Sequence, residues 1–438
     1  MMRMFRCEKD VIRWIFDEFV PTNTSRKNLS HLKEALEKLG SPHLNLKTIH
    51  IAGTNGKGST VSFLGKILRS AGYSVGTFTS PHLEHFGERI ALNGQPISAY
   101  DLVRCANILK PILYRSNSEH FAPFDVITLL SFIYFNESKV DIVIYETGIG
   151  GRLDSTNVIT PLACGITNVG DDHAEILGNT KEARAFEKLG IAKRGVPLFT
   201  TEEDGELLSL FREVALHVGA PFIPPLEYDS PKNVKTSEDG SHFDFDGLED
   251  IHLSMFGTHQ ITNAILAYSI AKFLNEGNDF TISPKNLKEG LKKARWPGRF
   301  EIMGADPTVI LDGAHNVDAL EHLKRTLANV YPNKRKKFIV ALAEDKNICE
   351  FLDIVASFAH EVNFTTTSHP RLMCPRDLCR LYPNNNCSWN MTFTDAIKYQ
   401  IETAKANEII IVCGSLYLIS DMRKYLKDAG QKRQKLKD

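Results

Sequence analysis

The chain is 438 residues long and carries 52 Lys and Arg against 53 Asp and Glu, a formal charge of -1. That length predicts two to four domains at about 100–200 residues each, and 42% hydrophobic with 24% charged residues is ordinary globular make-up. The near-neutral balance argues against a dedicated nucleic-acid binder, and no apolar run approaches the roughly 18 residues that span a bilayer. The longest run, Val126 to Phe135, is interrupted by Thr128 and Ser131. Glu8 and Asp10 stand where a signal peptide carries its apolar stretch, so the expectation is a cytoplasmic protein. Eight scattered cysteines in a chain of this size read as reduced thiols. Cys374, Cys379 and Cys387 lie near one another but lack the spacing and histidine partners of a zinc site. The basic end, Gln431 to Asp438, reads as a solvated, frayed tail.

Met1 to Gly40 reads as helices, with Leu29, Leu32, Ala35, Leu36 and Leu39 at helical spacing and Gly40-Ser41-Pro42 as the stop. Thr48 to Ala52 is a short β run. A Gly-rich turn, a helix from Ser59 to about Ser70, and a second strand, Tyr73 to Thr79, follow. Strand, turn, helix, strand is a βαβ unit and implies a parallel sheet. Val126 to Phe135 is a buried helix or strand that periodicity leaves open. Asp141 to Tyr145 and Ala163 to Thr167 are further strands, Glu227 to Asp250 reads as short strands and loops, and Ile261 to Leu274 is an apolar helix. Beyond the turn Trp296-Pro297-Gly298-Arg299 the alternation restarts: strand Thr308 to Leu311, helix Asp318 to Leu327, strand Lys337 to Ala341, helix Ile348 to Ala356, strand Ile409 to Cys413. The expected boundary lies near Pro297, with domains 1–297 and 298–438, and the expected class is α/β.

The strongest local signal is Gly53-Thr54-Asn55-Gly56-Lys57-Gly58-Ser59-Thr60 between a strand and a helix. Glycines let backbone N–H groups converge on anionic oxygens, and the helix N-terminus adds its positive end. Lys57 can reach terminal phosphates, and a hydroxyl of Ser59 or Thr60 can hold Mg²⁺. The strict pattern G-x-x-x-x-G-K-[ST] is not met, because Ile51 takes the place of its first glycine and Gly58 follows the lysine. A ligand-free turn and a generic nucleotide hydrolase are the alternatives. In an open parallel sheet the carboxyl ends of strands line the ligand crevice. There the chain sets Ser80 after one strand, Glu146 after another and Asp171-Asp172-His173 after a third. Together they suit a hard cation bridging phosphates. Lys188, in Phe186-Glu187-Lys188-Leu189-Gly190, reads by itself as a surface helix lysine.

Nine segments in order, GTNGKGST, SPHLEHFGERI, YETGIGGRLDSTN, the DDH of GDDHAEILGNT, FEKLGIAKRG, HQITNA, WPGRFE, LDGAHN and CGSLY, resemble the Mur ligase superfamily, and within it the folylpolyglutamate synthase and dihydrofolate synthase branch. The resemblance runs from about residue 25 to about residue 425. It implies a parallel-sheet P-loop ATPase domain followed by a smaller Rossmann-like C-terminal α/β domain. It implies an ATP-dependent amide ligase in which a carboxylate takes the γ-phosphate as an acyl phosphate and the amine of L-glutamate displaces phosphate. ATP and Mg²⁺ are the implied cofactors, dihydropteroate or reduced folates the implied substrates, and a monomer the implied state.

Carried over by motif, Lys57 and Ser59 would bind phosphates and Mg²⁺, Ser80 and Glu146 one magnesium, and His173 a second. Lys188 falls where many family members carry a carbamylated lysine. Asn263 and Arg299 would contact nucleotide, Asp312 and His315 would close over ATP and glutamate, and Ser415 would line the glutamate side. A cleft between domains would protect the acyl phosphate from water. Phe124 could stack on a pterin and Asp154, with Ser155 beside it, could accept its N–H groups; the plain alternative is that Asp154 caps a turn. Gly151 to Asn157 resembles the loop of members that accept dihydropteroate, which implies a bifunctional enzyme. Three departures stand out: Asp125 where Glu is frequent after Phe124, Asn347 where Asp is common, and an extra acid before Asp172-His173. A synthase that only extends folates, a cell-wall ligase acting on a uridine-nucleotide peptide, and a non-catalytic nucleotide-binding regulator are the competing functions.

Overall fold

The computed structural model describes residues 4–19, 28–115, 121–225, 230–277, 280–344 and 347–435. The chain divides into two compact units, the first of Met1–Lys232, Asp244–Ile251 and Thr262–Ala294, the second of Asn233–Phe243, His252–Ile261 and Arg295–Asp438. The break after Ala294 falls three residues before the expected one at Pro297, and two short earlier segments join the second unit.

In the first unit eight strands form one sheet: β1 (Thr48–Ala52), β2 (Val75–Phe78), β3 (Ile90–Leu92), β4 (Gln95–Pro96), β5 (Ile142–Glu146), β6 (Ala163–Ile166), β7 (Leu198–Thr200) and β8 (Phe222–Ile223). Their order is β4-β3-β2-β5-β1-β6-β7-β8. All neighbours from β2 to β8 run parallel, and β3 and β4 fold back antiparallel at one edge. β1 and β5 are buried along their whole length, which explains the compact apolar run of β5, while β1 also buries Thr48 and His50.

The ambiguous run Val126 to Phe135 is a helix, Pro123–Glu137, buried from Asp125 through Phe135. Pro123 at its first turn and its fifteen residues favour helix over strand, and its apolar surface on all sides makes it a core element. It packs with the helices Glu8–Glu18, Ser30–Lys38 and Ala99–Arg115 in one cluster that includes Phe78 and Tyr145 of the sheet.

A separate three-stranded sheet, order β11-β10-β9, is made of β9 (Lys232–Ser237), β10 (Gly240–Phe245) and β11 (Leu248–Leu253), from the stretch expected to hold short strands. The second unit holds a six-stranded sheet of β12 (Glu301–Ala305), β13 (Thr308–Leu311), β14 (Arg335–Val340), β15 (Glu361–Phe364), β16 (Cys387–Trp389) and β17 (Glu408–Cys413). Its order is β12-β13-β17-β14-β15-β16, parallel except for the β12–β13 pair. The α/β class and two parallel-rich sheets are thus as expected.

Two local readings change. Cys379 and Cys387 form a disulfide, against the expectation of reduced thiols throughout, because the Pro375–Leu381 helix and β16 bring their Cα atoms to 6.1 Å. The last helix, Leu416–Lys435, carries into the basic tail expected to fray, while 436–438 lie outside the described residues. Of the segment ending at Asn347, Asp345 and Lys346 also lie outside them. Among the described residues no helix is long and apolar enough to cross a membrane.

Candidate active site

The order β2-β5-β1-β6 puts the carboxyl ends of four parallel strands side by side, with Phe78 opposite Tyr145, Ile51 opposite Glu146 and Ala52 opposite Ile166. The residues that follow them are those singled out in the sequence. The loop after β1 enters the helix Lys57–Ser70 at Gly56, whose φ of 86° lies in the left-handed region. A Cβ there would overlap the side-chain amide of Asn263, so Asn263 is seated on the loop. Lys57 folds back, its Nζ donating to the carbonyls of Gly53 and Thr54 at 2.9 and 3.2 Å. Ser59 and Thr60 are buried in the first helical turn, and Thr60 Oγ1 has no hydrogen-bond partner among the described residues.

The loop after β6 braces the phosphate loop. Asn168 accepts from Thr54 N through its carbonyl and from Asn55 N through Oδ1, Gly170 N donates to Thr54 Oγ1, and Thr167 Oγ1 donates to the Asn55 carbonyl. Sequence reasoning took Asp171, Asp172 and His173 from this segment and missed the bracing role of Asn168. An Asn directly after a strand end, beside a loop full of backbone donors, was the available signal.

Glu146 is 4% exposed at the end of β5, and its Oε2 accepts the backbone N–H of Ser80 at 3.1 Å, which ties two of the expected cation-holding residues together. His173 sits in the left-handed region at the start of a short helix, half-exposed, with Asp172 and Glu175 carboxylates each 3.9 Å from one of its ring nitrogens.

Lys188 is not a surface lysine. It lies on the inner face of the helix Lys181–Leu189 and is 2% exposed. Burial lowers its amine to about 7; the charges of Lys57 and Arg184 push the same way, and Asp172 opposes them. Arg184 is also buried, its Nη1 donating to the Gly178 carbonyl, and sequence reasoning had passed it over. Lys57, Arg184 and Lys188 thus act on one another beside the phosphate loop, with Asp171 paired to Arg184 at 3.4 Å and Asp172 offsetting part of the charge.

The loop from Gly148 to Asn157 is pinned onto the end of that same helix. Arg152 N donates to the Glu187 carbonyl at 2.7 Å, its guanidinium pairs with the Glu187 carboxylate, and Asn157 Nδ2 donates to the Gly190 carbonyl. Asp154 is fully enclosed, and burial raises its carboxyl above the usual carboxylate range despite the bonds it accepts. Oδ2 accepts from Gly148 N and Ile149 N, Oδ1 from Thr156 N and Thr156 Oγ1. Thr156 Oγ1 in turn lies 2.8 Å from Nε2 of buried His50. These are the bonds of a turn cap. Ser155 Oγ donates to Asp125, whose other oxygen takes Ala122 N. Asp125 therefore closes the start of the Pro123–Glu137 helix and reaches the loop as well. The half-buried Phe124 ring lies against Phe78, with centroids 5.6 Å apart, and over Gly148.

In the second unit, β13 and β17 are parallel neighbours that end together, Leu311 opposite Val412. Asp312 follows β13 and accepts from Phe300 N and Ala314 N, both at 2.8 Å; burial raises its carboxyl, and Arg299 opposes the rise. A Cβ on Gly313 would overlap the Arg299 guanidinium. His315 Nδ1 lies 2.8 Å from the Gly313 carbonyl, which fixes the tautomer that donates there and leaves Nε2 as the acceptor. Ser415 follows β17, is 5% exposed, and accepts from Tyr417 N, while Gly414 N donates to the Ala314 carbonyl and joins the two loops. Arg299, Asp312, His315 and Ser415 are thus gathered at one edge of this sheet.

Comparison with known proteins gives the same picture. Residues 51–271 match the family described as Mur ligase middle domain, and residues 298–416 that described as Mur ligase, glutamate ligase domain. The dihydrofolate synthase/folylpolyglutamate synthase of Bacillus subtilis is 40% identical over 97% of this chain and 100% of its own length. Among solved structures, the folylpolyglutamate synthase of Thermotoga maritima is 34% identical, with 96% of each chain covered and a TM-score of 0.84. FolC of E. coli in complex with DHPP and ADP is 25% identical over 98% of this chain and 100% of its own, with a TM-score of 0.87.

Proposed function

Since the chain belongs to the Mur ligase family and, within it, to the dihydrofolate synthase/folylpolyglutamate synthase branch, we propose that it joins L-glutamate first to dihydropteroate and then to the glutamate tail of folates, through an acyl phosphate. It is an ATP-dependent ligase. The observation that carries the phosphoryl-transfer side of this reading is the loop braced by Asn168 with Lys57 folded on it and buried Lys188 within electrostatic reach.

The residues fit ATP with Mg²⁺: Gly56 leaves room against Asn263, Thr60 offers a buried hydroxyl with no partner among the described residues, and Ser59, Ser80 and Glu146 offer oxygen donors. Ser59, Ser80 and Glu146 would hold one cation and His173 a second, and these would supply charge neutralisation on the phosphates. The backbone N–H groups of Gly56 to Ser59, at the start of the helix, would cradle the phosphates, since those of Thr54 and Asn55 are held by Asn168, and Lys57 would swing from its own loop carbonyls onto the terminal one. A substrate carboxylate oxygen then bonds to the γ-phosphorus as ADP leaves. The glutamate nitrogen bonds to the acyl carbon, phosphate leaves, and the amine's proton passes to a base. By motif, the role would fall to His315, whose Nε2 is the ring's acceptor, and Asp312 and Ser415 would lie on the glutamate side. Enclosed Asp154 holds the loop on which Phe124 can meet a pterin ring.

Glutamate-dependent ADP release should appear with dihydropteroate and with tetrahydrofolate. Release with tetrahydrofolate alone would leave only a folate-extending synthase, and release with a uridine-nucleotide peptide instead would favour the cell-wall reading.

Gly56→Ala should lower kcat/KM by about 10²-fold, because it displaces Asn263 and shifts the loop. Steady-state kinetics at saturating glutamate would check this, and near wild-type values would contradict the seating of Asn263. Asp154→Ala strands four donors, and the expected loss is about 2 kcal/mol or more, read by urea unfolding. An unchanged unfolding midpoint would contradict the turn-cap role. A fall in dihydropteroate turnover much larger than in folate extension would support direct contact with the pterin.

A further inference from the structure

The three-stranded sheet has no part in the reaction above, yet three ligand-type side chains meet on it. Asp239 stands in the turn between β9 and β10, His242 on β10 and His252 on β11, and one ligand atom from each lies within 4.8 Å of the others. The imidazoles face each other with centroids 4.3 Å apart and planes 10° from parallel. Asp239 Oδ2 is 3.5 Å from His242 Nε2, while its Oδ1 is held by Ser237 Oγ. His252 Nε2 lies 3.0 Å from the Asp239 carbonyl oxygen; as donor there, it leaves Nδ1 as the ring's acceptor. Gly240, at φ 129°, permits this crowding, because a Cβ there would overlap the Leu253 carbonyl and come to 3.0 Å from His252 Nε2.

We propose that Asp239, His242 and His252 form a binding site for a late first-row divalent cation, of which zinc is the best match. Two imidazole nitrogens and one carboxylate oxygen supply three corners of a tetrahedron, and water supplies the fourth. Two imidazoles select zinc, nickel or copper over magnesium, which takes oxygen donors. Bonds of about 2.0–2.1 Å need ligand atoms closer together than they now stand, so the side chains must turn inward by roughly 1 Å. Asp239 is exposed and both histidines are half-buried, so each can do so. The ion ties the β9–β10 turn, β10 and β11 of a small sheet, a staple apart from the Mg²⁺-dependent chemistry.

The test uses full-length protein without a histidine tag, stripped with chelator and titrated with Zn²⁺ by calorimetry in the presence of excess Mg²⁺. Binding of a single equivalent is expected in the parent protein. Asp239→Asn and the double variant His242→Ala/His252→Ala should weaken that event by about 10-fold and about 100-fold or more. Ligase activity in Mg²⁺ should be unchanged in both, which reports that they are folded. Equal zinc affinity in the parent and the active double variant, or no zinc binding by the parent in the micromolar range, would overturn the proposal.

Discussion

Lys57→Ala should lower ligase turnover by about 10³-fold or more while leaving the thermal midpoint nearly unchanged. The side chain is part-buried, and in the absence of phosphate it only caps two carbonyls of its own loop, Gly53 and Thr54. Those bonds pass to water when the side chain is cut back, so the fold loses little. In the reaction the same ammonium meets charge that moves from the β,γ-bridge onto ADP as the carboxylate attacks. Without it that charge has one fewer fixed partner at the moment it develops. Lys57→Arg should not restore turnover, because a planar guanidinium cannot replace a compact ammonium in a loop this tightly braced. ADP release under saturating substrates, with circular dichroism as the control on folding, decides the matter. A folded Lys57→Ala enzyme with near-parental turnover would sink the role given to the loop.

How far the sequence led depended on how local each feature is. β1 and the phosphate loop were legible because a buried parallel strand, a glycine-rich turn and a helix start each leave a short-range mark, and Thr48 to Ala52 was placed to the residue. Val126 to Phe135 stayed ambiguous, since a core helix apolar on all sides has no stripe to betray its period. β15 and β16 were missed because each is a short strand of three or four residues in a stretch without clear alternation. Glu146 was placed correctly at a strand end, because strand ends and crevices coincide in parallel sheets. Lys188 was misread from its own neighbours: the short helix turns Arg184, Ala185, Lys188 and Leu189 to its buried face, and the loop at Gly151, 37 residues earlier in the chain, packs against its backbone. Asp154 was left between two roles, and only the positions of Gly148 N, Ile149 N and Thr156 show that its oxygens are already used. The cysteine pair was hidden for the same reason, because eight residues of separation say nothing about whether two Cα atoms approach.

Lys188→Ala should reduce turnover by about 10²–10³-fold, and the cause we expect is loss of a carbamate rather than of an ammonium. A buried amine that feels the charges of Lys57 and Arg184 is poorly placed as a further cation, and burial has already lowered it to about 7. The unprotonated amine is the form that adds to CO₂: the nitrogen bonds to carbon, one proton leaves to water, and an anion remains within reach of the Lys57 and Arg184 charges. Below about pH 7 the ammonium predominates and addition is blocked; above it the free amine predominates and addition proceeds. Enzyme held in CO₂-depleted buffer should therefore lose activity. Bicarbonate should restore it faster at about pH 8 than at about pH 6. Acetate should partly rescue Lys188→Ala, since a small carboxylate can occupy the space the carbamate leaves, and it should do nothing for Lys57→Ala. Mass spectrometry of the intact protein under non-acidic conditions gives a direct reading. Full activity in CO₂-depleted buffer, with no added mass on Lys188, would show that the lysine works unmodified, and its lowered amine would then serve another step.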